Sequence, residues 1–176
     1  ITDVTITGSN SNIGGLAGMS NGNITGCKAE KILILQGNTY CGGLVGYYTG
    51  SSIQSSSTKN VVIKNNGDYT GGFVGAFEGG SGGATNGEIQ KCSATDVYIN
   101  TQGNYTGGFA GNSKGENIKI CTATNINIES SGNDVGGFIG QFENGQITYL
   151  DGSSCYAKSV NIVGKESVGG FVGCNR

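Results

Sequence analysis

Residues 69–75 read Tyr-Thr-Gly-Gly-Phe-Val-Gly, and residues 105–111 read Tyr-Thr-Gly-Gly-Phe-Ala-Gly. The shared pattern is two glycines, a large apolar residue, a small or aliphatic residue and a third glycine. It occurs six times, from Gly14, Gly42, Gly71, Gly107, Gly136 and Gly169, at intervals of 28, 29, 36, 29 and 33 residues. Both longer intervals contain a locatable insertion, one within residues 76–88 and one within 148–154. Without them the period is about 29 residues throughout, and a fixed period of this size marks a repeat architecture.

Two further blocks keep register with the glycines. One is Ile, two residues, Cys or Ser, one residue, Ala or Thr: Ile24/Cys27/Ala29, Ile53/Ser56/Thr58, Ile89/Cys92/Ala94, Ile118/Cys121/Ala123 and, across the second insertion, Ile147/Cys155/Ala157. The other alternates apolar and polar residues, with Val4/Ile6, Ile32/Ile34, Val61/Ile63, Val97/Ile99, Ile126/Ile128 and Val160/Ile162 as its inward column. Alternation with period two predicts half-buried strands, and no stretch carries a helical period. Each repeat therefore predicts three short strands joined by turns: the alternating block, the whole glycine signature and the Ile-to-Ala block. Asn21-Gly22, Asn66-Gly67, Asn86-Gly87 and Asn144-Gly145 mark turns, because both residue types accept positive φ.

Three strands per repeat with matching side-chain columns predict an all-β chain folded as a parallel β-solenoid, or β-helix. It has about six right-handed coils and forms one domain over residues 1–176, read as a segment of a longer repeat array. One coil cannot bury its apolar face alone, so its first partners are other coils, from the same chain or from end-to-end copies. Leu16, Leu44, Phe73, Phe109, Phe138 and Phe171 form a large apolar column expected in the core. The residues before the paired glycines, Ile13, Cys41, Thr70, Thr106, Val135 and Val168, fall on the opposite face by simple alternation. The structural signature Gly14/Gly15, Gly42/Gly43, Gly71/Gly72, Gly107/Gly108, Gly136/Gly137 and Gly169/Gly170 is therefore expected to bend or bulge within its strand and change the phase.

Composition narrows the function. The chain has 176 residues, 35 of them Gly, with no Pro, Trp or His, 12% charged residues and a net charge of −2. Collagen needs glycine at every third position and abundant proline. The charge offers no basic footprint for nucleic acid, and no apolar run approaches the length of a membrane span. The chain begins at Ile1 without a signal segment, which reads as a mature product or an excised piece. Without His, the usual agent of triad and general acid–base chemistry is missing. No cofactor or metal site is expected, since the six Cys make no metal-ligand spacing. The Cys column reads either as a ladder of small buried side chains or as inter-coil disulfides, Cys92 with Cys121 for example.

A polysaccharide-active enzyme needs convergent carboxylates, and only Glu78, Glu88 and Asp96 gather, near the first insertion. No catalytic residues are assigned, and the chain is read as no enzyme. Ice binding needs a flat regular array. The outward columns Thr5, Leu33, Val62, Tyr98, Asn127, Asn161 and Thr25, Gln54, Gln90, Lys119, Thr148 are too irregular for it. Two aromatic rows remain as candidate ligand-facing residues: Tyr40, Tyr69 and Tyr105, and then Tyr48, Phe77 and Phe142. They are read either as platforms for carbohydrate or a host surface protein, or as ladders that stabilise neighbouring coils. Asn23-Ile24-Thr25 and Asn104-Tyr105-Thr106 are glycosylation sequons in a eukaryotic secretory setting.

The Gly-Gly-Leu-Ala-Gly block from Gly14 and the Gly-Gly-Leu-Val-Gly block from Gly42, within a β-repeat of about 29 residues, resemble GLUG-motif repeats. The resemblance spans essentially the whole chain, although four copies carry Phe in place of Leu. It implies a bacterial surface or secreted protein, adhesin-like or a non-catalytic part of an IgA-cleaving metalloprotease. It carries over no catalytic residue. The expected role is an extracellular or cell-surface module acting in adhesion or as a rigid spacer, with an extracellular filament subunit as the alternative.

Overall fold

The computed structural model describes residues 1–79, 87–148 and 152–176. These form a parallel β-solenoid of four stacked sheets, with every strand paired in parallel to its counterpart one coil away. The first sheet holds the long strands Thr2–Thr7, Lys28–Gly37, Ser57–Asn65, Ser93–Thr101, Thr122–Ser130 and Tyr156–Val163. The second consists of two-residue strands, from Ile13–Gly14 to Val168–Gly169. The third runs from Ala17–Ser20 to Val172–Asn175, and the fourth, of five strands, from Ile24–Thr25 to Gln146–Thr148.

Three strands per coil thus become four, and the glycine signature is not one strand. Its first glycines, Gly14, Gly42, Gly71, Gly107, Gly136 and Gly169, end the strands of the second sheet. Its second glycines, Gly15, Gly43, Gly72, Gly108, Gly137 and Gly170, belong to no strand; with the large apolar residue after each, they make the corner into the third sheet. The physical reason is steric. A Cβ on Gly15 would lie 2.4 Å from Gly43 O, one on Gly43 2.2 Å from Gly72 O, and one on Gly72 2.2 Å from Gly108 O. The series continues with Gly108 at 2.3 Å from Gly137 O and Gly137 at 2.2 Å from Gly170 O. The next coil's carbonyl oxygen stands where a side chain would be, so the corner closes only without one. A methyl on Gly170, in the last coil, meets nothing within 4 Å.

The Ile-to-Ala block is split too: its Ile lies in the fourth sheet, while its Ala opens a long strand of the first. Between them the chain turns a corner at Gly26, Ser55, Lys91 and Ile120, all with positive φ. The insertions interrupt neither ladder. Glu88 pairs with Ser52 after the first, and Ala157 pairs with Ala123 after the second. Residues 80–86 and 149–151, which carry much of the two predicted insertions, lie outside the described residues.

Positive φ is arranged by column rather than by Asn-Gly dipeptide. Asp3, Lys31, Asn60, Asp96, Asn125 and Ser159 share one bend within the long strands. Asn12, Tyr40, Tyr69, Tyr105, Asp134 and Ser167 share another just before the second sheet. Of the predicted turn markers, Asn144 adopts positive φ, whereas Asn21, Gly22, Asn66 and Gly67 do not, and Asn86 is outside the described residues. A stacked coil repeats its neighbour's path, so a corner is set by column and held by bonds to the next coil. Tyr40 N–H donates to Asp68 O at 3.0 Å and Tyr69 N–H to Asn104 O at 3.0 Å. Such bonds offset a left-handed cost of roughly 1–2 kcal/mol per non-glycine residue.

The core follows the predicted columns. Ile32, Ile34, Val61, Ile63, Val97, Ile99, Ile126 and Ile128 are all buried. Cys41, Thr70, Thr106 and Val135 are buried together with Leu44, Phe73, Phe109 and Phe138, so the glycine bend does change the phase. Phe73, Phe109, Phe138 and Phe171 stack with ring centroids 4.7–4.9 Å apart. That spacing equals one strand separation, so the ladder geometry itself enforces the stack. The corner glycines also admit the first sheet: a methyl on Gly72 would lie 2.9 Å from both branches of Val97.

Candidate functional site

The left-handed column before the second sheet carries the first aromatic row. Left-handed φ favours Gly, Asn and Asp, yet three consecutive coils place Tyr there. Tyr40 and Tyr69 stack with centroids 4.9 Å apart and planes 14° apart, and Tyr69 and Tyr105 at 4.8 Å and 17°. Tyr47, from the third sheet, meets Tyr40 at 4.8 Å and a 40° tilt, making a four-ring strip. Sequence reasoning missed Tyr47, because it belongs to a different column and only the corner brings it to Tyr40. In its own column stand Met19, Ala76, Asn112, Gln141 and Cys174. Ala76, Asn112 and Gln141 are buried.

The strip's electrostatics are set first by burial and then by two acids, Glu78 and Asp68. Tyr47 Oη–H donates to Glu78 at 2.8 Å. Burial pushes the Tyr47 hydroxyl up to about 12, with the hydrogen bond and charge of Glu78 adding. Burial also raises Tyr40, helped by the charges of Glu78 and Asp68. Tyr69 moves the same way, first through burial and then through its neighbours Tyr105 and Tyr40. These phenols stay protonated at neutral pH and act as neutral donors. Stacking also decides what the strip offers a ligand. Tyr69 has both ring faces covered, so it presents its edge and hydroxyl rather than a face on which a sugar ring would stack.

Tyr48, Phe77 and Phe142, the second predicted ligand-facing row, are core residues. They are buried, with Tyr48 and Phe77 at 5.4 Å between centroids. Their column sits inside the third sheet, interrupted by Ser113. Tyr48 Oη is used internally, donating to Ser52 O at 2.7 Å and accepting from Ser52 N–H at 3.0 Å.

The acidic cluster does not converge. Glu78 holds Tyr47, Glu88 pairs with Lys119 Nζ at 2.5 Å, and Asp96 accepts from Asn125 Nδ2 at 2.9 Å. Each carboxylate belongs to a different column, so none is placed opposite another across a substrate. Among the described residues no group of three or more Cys, Asp or Glu is placed to hold a metal ion. One buried acid was invisible to sequence reasoning. Glu116 is 1% exposed, faces the backbone N–H groups of Gly87 and Gly79, and is pushed up to about 7 by burial.

Two surface hollows meet at Asn100 on the rim of the first sheet. One, about 290 Å³, is lined by Leu35, Gln36, Lys64, Asn65 and Asn66. The other, about 530 Å³, runs past Gln102, Glu129, Ser131 and Val163. Glu129 is held there by Tyr98 Oη and Asn100 Nδ2, each at 3.1 Å. The surface is rich in amide and hydroxyl groups, suited to bonding other hydroxyl-rich chains.

The Cys column is a ladder of free thiols with Ser56 as a member. Cys27 N–H donates to Ser56 Oγ at 3.1 Å, and Cys121 N–H to Cys155 Sγ at 3.3 Å. No family model, curated protein or solved structure matches this chain.

Proposed function

We propose that this chain is a non-enzymatic repeat module of the cell surface or extracellular space, of the GLUG-like kind, acting in adhesion on a rigid spacer. The observation that carries this reading is the tyrosine strip. It occupies a strained column on three successive coils, where Asn, Asp or Gly would be easier to hold. Stacking imposes the left-handed φ on this column in every coil but does not dictate its side chain, so the choice of Tyr on three successive coils is what contact with a partner accounts for. Unbroken ladders on four sheets supply the stiffness, and separately engaged carboxylates suit a scaffold without catalysis. The partner chemistry is hydroxyl-rich: glycan, or the surface of a host protein.

The test is binding of the chain to a glycan array and to intact host cells, with Tyr69→Ala and Asn100→Ala as variants. Binding weakened tenfold or more by Tyr69→Ala supports the strip. Binding lost only with Asn100→Ala moves adhesion to the hollows, and no binding removes adhesion and leaves the spacer.

A second reading, end-to-end assembly into a filament, draws on exposed apolar side chains of the outermost coils. Leu16 and Met19 lie on one, Val163 and Val168 on the other, between 37% and 58% exposed. A further coil would cover them, from the same polypeptide or from a second copy. Light scattering that grows with concentration, with rods under the microscope, supports the filament; a monodisperse monomer removes it.

A further inference from the structure

The thiol ladder is not uniform. Cys92 and Cys121 are buried, at 2% and 0% exposure, whereas Cys155 and Cys27, in the same column, are half-buried. Cys121 N–H points at the Cys155 sulfur at 3.3 Å. Cys27 N–H donates to Ser56 Oγ in the next coil. Cys155 is also in register with Cys121, since the flanking residues Thr122 and Tyr156 are partners and Tyr156 N–H donates to Cys121 O at 3.2 Å. Partners one strand spacing apart have Cα atoms about 4.8 Å apart, inside the range a disulfide accepts.

We propose that Cys155 and Cys121 form a reactive thiol pair, in which Cys155 takes up a two-electron oxidant of the hydroperoxide class and Cys121 resolves it to a disulfide between neighbouring coils. The electrostatics agree with the geometry. The Cys155 thiol is lowered to about 7, chiefly by a hydrogen bond from the Cys121 thiol and then by the backbone N–H groups of Cys121 and Ile120, against burial. Burial pushes Cys121 up, so it remains the protonated partner. Burial pushes the Cys41 thiol up to about 12, outweighing a hydrogen bond from Asn65.

The chemistry balances in two steps. The Cys155 thiolate attacks the distal oxygen of the hydroperoxide; an S–O bond forms, the O–O bond breaks, and the alkoxide leaves as the alcohol after taking a proton. Cys155 is now a sulfenic acid, oxidised by two electrons. Cys121 sulfur then attacks Cys155 sulfur; the S–S bond forms, the S–O bond breaks, and hydroxide leaves as water with the Cys121 proton. The product staples two coils across the second insertion.

Substitution by Ser is built into the ladder, because Ser56 fills the same position, accepting from Cys27 N–H and donating to Gln54 O at 2.8 Å. Cys155→Ser and Cys121→Ser therefore keep the fold, and circular dichroism checks this. The whole chain, reduced and then given one equivalent of hydrogen peroxide, is mapped by mass spectrometry without reductant. The expected product is a Cys121–Cys155 crosslink, absent in both variants. In Cys121→Ser a sulfenic acid accumulates at Cys155 and is trapped by dimedone. Iodoacetamide at pH 7 labels Cys155 several-fold faster than Cys27, the thiolate fraction outweighing its lower nucleophilicity. The proposal is overturned if Cys27 or Cys174 labels as fast, or if the crosslink joins Cys92 to Cys121.

Discussion

A methyl group on Gly75 would lie 2.5 Å from the carbonyl oxygen of Gly46, one coil away, and 2.8 Å from the backbone nitrogen of Cys41. The atoms it would strike are all backbone atoms of that neighbouring coil, so no side chain can swing out of the way.

Gly75→Ala is therefore expected to destabilise the chain at the upper end of the overpacking range, about 3 kcal/mol or more. Gly22→Ala is the control: a methyl there meets nothing within 4 Å. Urea unfolding of the two variants should separate them clearly, and a Gly75→Ala midpoint equal to that of Gly22→Ala would refute direct backbone contact.

Tyr69 sits between Tyr40 and Tyr105, with ring contacts of 4.9 and 4.8 Å. Tyr69→Ala removes two stacked pairs and should cost about 1–3 kcal/mol, at roughly 0.5–1.5 kcal/mol per pair. Tyr69→Phe keeps both rings and should stay within about 0.5 kcal/mol of the native chain. Thermal unfolding of both variants decides whether stacking or the hydroxyl holds the strip.

Glu116 makes stability depend on pH in an unusual direction. Its folded-state value, about 7, lies above the ordinary 4.5, so the folded chain binds more protons than the unfolded one between those values. Stability is then highest at acid pH for this group and falls as pH rises from about 4.5 to 7, by about 3 kcal/mol at most. Glu116→Gln should flatten that slope and be the more stable protein at pH 8. An unchanged slope in denaturant midpoints from pH 4.5 to 8 would show that Glu116 ionises freely.

The two sequons part company in the fold. Asn23 and Thr25 are exposed. Asn104 Oδ1 accepts from Asn133 N–H at 2.9 Å, its Nδ2 donates to Asp68, and Thr106 is buried. Secreted from a eukaryotic cell, the folded chain should carry a glycan on Asn23 and none on Asn104. Glycopeptide mapping reads this directly, and an occupied Asn104 in folded material would contradict the corner ladder.

The period, the parallel stacking and most of the core were written in the order of residues. A solenoid coil repeats its neighbour's environment, so a column such as Val61, Val97 and Ile126 declares its burial by recurring. The reading of Thr70 and Phe73 as two inward columns joined by a bend follows from the same logic. What recurrence cannot convey is direction at a corner. Gly71 and Gly72 recur alike, and only the carbonyl of the next coil places one at the end of a strand and the other in the turn. Tyr48 and Tyr69 both recur as aromatics, and the path of the chain at the bends sends one into the core and the other to the surface strip. Corners depend on φ values that stacking imposes, which is why Tyr40 and Lys31 adopt a conformation their own side chains disfavour. Tyr47 beside Tyr40 and Glu116 beneath Gly79 and Gly87 are likewise products of the tertiary structure. Each joins residues from different columns or different coils, where no periodicity links them and only the three-dimensional path brings their atoms within reach.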